Sequence, residues 1–152
     1  MGSGESLKFW GDTVGSAVCK MFELVEVMAS EFERIGRFDI ERFMQKKWWN
    51  GEYGFYIKCC ENKILWFGIW AEIWSSRGYP ICVGVEEKWG QHVVGRFQVS
   101  FPSYERIGRY GWLVSCLEKE LLLGDPVKNV REWLMNSYLN NICEELQLQR
   151  IE

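Results

Sequence analysis

One histidine, His92, serves the whole chain of 152 residues, so at most one His-based dyad or triad is available and any multi-histidine metal centre is excluded. No GxSxG elbow and no catalytic-cysteine signature marks a nucleophile. Fifteen glycines are present, yet neither GxGxxG nor GxxxxGK(S/T) occurs, which removes the usual phosphate cradles. No apolar run approaches the roughly 18 residues that span a bilayer. The start lacks a basic segment followed by an apolar one, so no secretory leader is expected. Met1-Gly2-Ser3-Gly4 reads as an expression scar, and residues 1–6 are expected to lie outside the domain. The rest is read as a single domain.

Basic residues are also in deficit: 18 stand against 21 acidic ones, a net charge of −3 that gives no bulk attraction to nucleic acid. The cysteines at 19, 59, 60, 82, 116 and 143 form no CxxC, and neighbouring Cys59 and Cys60 cannot bridge without strain. Buried free thiols in a reducing cytosol are expected, with no metal site and no cofactor.

Aromatic residues, by contrast, are abundant: 16% of the chain, with nine tryptophans. The stretch Lys63–Glu87 dominates the pattern. Within it Ile64, Trp66, Gly68 and Trp70 fall on one alternating face, and Leu65, Phe67, Ile69 and Ala71 on the other. A strand apolar on both faces belongs at the centre of a sheet.

Around that centre the elements follow in order. A helix is predicted from Asp12 or Thr13 to Ile35 on the spacing of Met21, Phe22, Val25, Met28, Ala29 and Phe32, with Gly36 as its stop. Asp39 reads as the cap of a short second helix, Ile40–Lys47. Strands are expected at Tyr53–Cys59, Lys63–Ala71, Tyr79–Glu87 and His92–Phe101, with a fifth over Ile107–Ser115. In the fourth, Val93, Phe97, Val99 and Phe101 would point inward. Asp125 and Pro126 open a last helix whose buried face is Val127, Val130, Leu134, Tyr138, Ile142 and Leu146. The sum is an α+β domain: an antiparallel meander of four to five strands, with a long N-terminal and a C-terminal helix on one face.

For chemistry, Glu86 and Lys88 have the E-x-K spacing with which a metal-dependent nuclease holds a divalent ion and orients water. The segments Tyr53–Cys59 and Ile64–Ala71 carry no second carboxylate to complete such a site, so no catalytic set is assigned. The candidate binding residues are Trp74 and Trp89 at turns, with Arg96, Gln98, Tyr104, Arg106, Arg109 and Tyr110 as an Arg/Tyr patch on a wet sheet face. Trp48 and Trp49 also lie at a turn.

Three pieces carry a resemblance: Leu65-Trp66-Phe67-Gly68-Ile69, Tyr79-Pro80-Ile81-Cys82-Val83-Gly84, and Trp112 followed by the Gly124-Asp125-Pro126 helix. The chain resembles the C-terminal accessory part of bacterial and phage PD-(D/E)xK nuclease-like proteins of unknown function. In that family the nuclease core lies upstream of such a segment. The resemblance therefore implies no active site here, and a setting of phage–host conflict. The expected function is a non-enzymatic interaction module that binds a protein, such as a host factor it inhibits. The alternatives are a nuclease-like site at Glu86 and Lys88 or a nucleic-acid binder; self-association is left open.

Overall fold

The computed structural model describes residues 15–44, 51–107 and 111–151. Six antiparallel strands form one sheet, β1 (Asp39–Met44), β2 (Glu52–Cys59), β3 (Asn62–Trp70), β4 (Cys82–Glu86), β5 (Glu105–Ile107) and β6 (Trp112–Cys116). Their order is β1-β2-β3-β4-β6-β5. The meander holds as far as β4; the chain then leaves for a helix, lays β5 at the edge and returns β6 between β5 and β4. The α+β class is as the sequence predicts, and so is the helical layer on one face.

That layer contains α1 (Gly15–Arg34), α3 (Gln91–Ser100) and a rod made of α4 (Pro126–Leu134), a π turn (Met135–Leu139) and α5 (Asn140–Ile151), while short α2 (Ala71–Arg77) follows β3 directly. Leu24, Val25, Met28, Ala29 and Phe32 of α1 are buried against Phe55, Ile57, Leu65 and Phe67 of the sheet. Gly36 sits at φ +85° just past α1, where its N–H donates to the Glu33 carbonyl. A left-handed residue there suits glycine. The expected caps Asp12 and Thr13 lie outside the described residues. Asp125 does cap α4, its Oδ1 accepting from the Lys128 N–H at 3.2 Å.

The β2–β3 hairpin turns on Cys60 and Glu61, both at positive φ, the geometry that matches the twist of paired strands. Close to the turn the register jumps from Ile57↔Leu65 to Lys58↔Lys63, leaving Ile64 unpaired in a bulge. Tyr138 answers that defect. Its hydroxyl donates to the Ile64 carbonyl at 2.6 Å, deep in the core. The widened π turn, in which the Asn140 N–H reaches back to the Met135 carbonyl, lets Tyr138 and its neighbour Leu139 both be fully buried.

Three expectations are corrected. Residues 40–44, expected in a helix, form most of β1, and all six residues of the strand pair with β2. Alternation decides this: Arg42 reaches α1, where it meets Glu26 and Glu33, while Phe43 packs beside Tyr56. Positions 45–47 lie outside the described residues. The stretch His92–Phe101, expected as a strand, is helix α3. Its buried residues Val93, Val94, Phe97 and Phe101 follow a 3–4 spacing, and Val99 is 72% exposed. The fifth strand, expected over Ile107–Ser115, is two strands, β5 and β6.

Candidate functional site: an aromatic sheet face

The sheet face away from the main core carries its own cluster. Trp66, Ile73, Cys82 and Val114 are buried there, with Tyr56, Trp70, Trp89, Ile107, Trp112 and Cys116 packed around them. Parity puts them together: Trp66, Gly68 and Trp70 of β3 alternate with the core residues Leu65, Phe67 and Ile69. Among the described residues only α2, through Ile73, and the short turn Glu87–Trp89, through Trp89, cover this side.

Glycines make the floor. Gly54 and Gly68 oppose each other across β2 and β3, and a Cβ on either would come within 3.0 Å of Trp66 Cζ2. A Cβ on Gly84 would meet Trp112 Cε3 at 3.3 Å. The rings stand edge to face: Trp66–Trp70 at 6.2 Å, Trp66–Trp112 at 6.4 Å, Trp89–Trp112 at 5.6 Å and Tyr56–Trp89 at 5.9 Å. This arrangement suits the ring quadrupoles. Trp66 is 1% exposed, and its Nε1–H has no hydrogen-bond partner among the described residues. An unmet buried donor is uncommon in a folded chain.

Three carboxylates, Glu41, Glu52 and Glu86, stand at this face, and Lys63 and Lys88 pair with the first and the last. Burial raises the Glu52 carboxyl above the ordinary carboxylate range, and the charge of Glu86 adds to the rise. Tyr56 is likewise raised, by burial first and then by Glu52, Glu86 and Glu41. Glu86 is 16% exposed and pairs with Lys88 at 3.6 Å, although Lys88 lies in the turn after β4 and not on the strand. One ammonium already rests here: Lys63 Nζ lies 4.1 Å from the Tyr56 ring centroid and 3.7 Å from Glu41.

Of the predicted binding residues that the structure describes, Trp89 packs into this cluster, and Arg106 lines a groove beside it with Trp70, Ile73 and Ile107. Trp74 is buried in the main core on α2. Arg96 lies on α3, where it bonds Glu145 of α5; Gln98 Nε2, on the same helix, donates to Tyr104 Oη at 3.0 Å. Arg106 pairs with Glu87. Arg109, Tyr110, Trp48 and Trp49 lie outside the described residues. The expected Arg/Tyr patch is therefore not a sheet surface, because two of its members sit on a helix. His92 is exposed on α3, its Nε2 2.9 Å from Glu145 Oε2. Glu52, missed by the sequence reading, stands one residue before the strand expected at Tyr53.

No family profile, curated protein or solved structure matches this chain. No described helix is long and apolar enough to cross a membrane.

Proposed function

We propose that this chain is a non-catalytic interaction module that docks a basic segment of a partner protein on its aromatic, acidic sheet face. Glu52 carries the reading. It is a half-buried carboxylate beside the charge of Glu86, with no ion pair or hydrogen bond among the described residues. A buried carboxylate without a partner is costly, and an incoming cation offsets that cost. An Arg or Lys side chain brings the opposite charge and packs on indole faces. Nucleic acid fits less well, since its phosphates would meet Glu52, Glu86 and Glu41. The free thiols and the resemblance to phage and bacterial proteins extend the proposal to a small cytosolic protein of a phage or mobile element that holds and inhibits a host factor.

The test is titration of tryptophan fluorescence with an arginine-rich peptide at low salt. Saturable quenching is expected, weakened about tenfold, or ~1.4 kcal/mol, by Glu86→Gln or Trp112→Ala. Equal binding of an acidic peptide of the same length would sink the reading.

A nuclease-like site keeps one observation in its favour: Glu86 lies beside Lys88 and within electrostatic reach of Glu52. Against it, no three His, Cys, Asp or Glu side chains among the described residues are grouped to hold an ion. Cleavage of DNA or RNA with Mg²⁺ or Mn²⁺ that vanishes in Glu86→Ala would replace the docking reading.

A further inference from the structure

The aromatic face has two thiols set into it. Cys82 of β4 and Cys116 of β6 are direct register partners. The flanking Leu117 N–H donates to the Ile81 carbonyl at 2.9 Å, which makes Cys82↔Cys116 a pair without hydrogen bonds between its own backbones. Such pairs bring Cα atoms to about 4.5 Å, with side chains close together on one face. Disulfides span Cα separations of roughly 4.4–6.8 Å, so a χ1 rotation can close this pair with little backbone movement. Both side chains belong to the aromatic cluster. Cys82 is its buried floor, while half-buried Cys116 lines an open groove of about 190 Å³ with Ile73, Arg77, Tyr79, Glu105 and Glu118.

We propose that Cys82 and Cys116 are a reversible oxidation site, closed into a cross-strand disulfide by a low-molecular-weight disulfide entering along this groove. The Cys116 thiolate attacks one sulfur of the incoming disulfide. That S–S bond breaks, one small thiol leaves with the electron pair and takes up a proton, and a mixed disulfide remains on Cys116. Cys82 then gives up its proton and attacks the Cys116 sulfur, releasing the second small thiol. Two electrons and two protons pass from the protein to the oxidant.

The other thiols are placed differently. Cys59 and Cys60 are chain neighbours with sulfurs 3.9 Å apart, Cys143 is fully buried beside Cys59, and Cys19 is exposed on α1. Burial raises both Cys82 and Cys116, opposed by the Arg77 charge that acts on each. The reaction is therefore slow at neutral pH and quickens about tenfold per pH unit toward pH 9 as the thiolate fraction grows. The site stands whether or not the face docks a partner.

The test uses the folded, reduced chain and oxidised glutathione, followed by non-reducing digestion and mass spectrometry. The expected product is a Cys82–Cys116 cross-linked peptide, lighter by two hydrogens, free of glutathione and reversed by dithiothreitol. In Cys82→Ala, Cys116 is expected to retain glutathione; in Cys116→Ser, Cys82 is expected to stay unmodified. The wild-type map decides even where a variant does not fold. Glutathione persisting on wild-type Cys116, a link at Cys59, Cys60 or Cys143, or no reaction at pH 9 would each overturn the proposal.

Discussion

Removing one oxygen, in Tyr138→Phe, probes how the helical rod is fastened to the sheet. The Tyr138 hydroxyl meets the carbonyl of Ile64, the residue that the β2–β3 bulge leaves without a register partner. Phenylalanine keeps the ring and its contacts with Phe97 and Phe101, so almost no cavity term arises. What is lost is the bond, and a buried acceptor is left unmet. The expected cost is about 1–3 kcal/mol. For a chain of this size that lowers the melting temperature by about 2–4 °C per kcal/mol. Urea unfolding should show the loss in the midpoint with an unchanged slope, and amide exchange should quicken at the Cys60–Glu61 end of the hairpin. Alkaline titration gives a second reading. Burial holds the Tyr138 hydroxyl protonated well above the ordinary tyrosine range in the folded state. Above pH ~10 the unfolded chain loses this proton and the folded chain does not, so stability falls as pH rises. Tyr138→Phe should flatten that decline. A change under about 0.5 kcal/mol at neutral pH, or an alkaline decline as steep as the wild type's, would refute the fastening role.

Glu52→Gln should stabilise the chain at pH 7 while weakening its hold on a basic peptide. The folded-state carboxyl is raised, so its proton is bound more tightly folded than unfolded and stability falls as pH rises through the raised value. Thermal melts should therefore show the gain at pH 7 and none below about pH 4. Gly68→Ala should cost about 2–3 kcal/mol in urea unfolding, because the new Cβ would lie 2.6 Å from Gly54 Cα, a backbone atom that cannot swing aside. Asp125→Ala removes the α4 cap and should cost about 1 kcal/mol by the same measurement.

The elements legible in the sequence were those whose local signal agreed with their burial. β3 announced itself through Leu65, Phe67 and Ile69 on one face and Trp66 and Trp70 on the other. The last helix was fixed by Asp125, Pro126 and the spacing Val130, Leu134, Tyr138, Ile142. Helix α3 was not legible because HVVGRFQVSF satisfies two periods. Val93, Phe97, Val99 and Phe101 alternate, and Val93, Val94, Phe97 and Phe101 also wind. Only packing chose between them, burying Val94 and exposing Val99. β1 carries a capping residue and charges that suit a helix, and it becomes a strand by pairing along β2. The aromatic face was half visible. Trp66, Gly68 and Trp70 were placed on one side of β3, but Trp112 joins them only because β6 lies next to β4, a neighbour relation that no local pattern encodes. Turn position singles out Trp89, whereas Trp66, Trp70 and Trp112 belong to the strands themselves.

An open sheet has two margins, and each can recruit a foreign strand. Here, among the described residues, β5 offers three, hemmed by the pairs Arg77–Glu105 and Arg106–Glu87, and β1 spreads Asp39, Glu41 and Arg42 along six. Short, charged borders of this kind discourage fibrillar stacking. The broad aromatic side is thus framed by selvedges poorly suited to lateral growth. Lengthening β5 or neutralising β1 would be expected to turn it toward aggregation well before the interior was harmed.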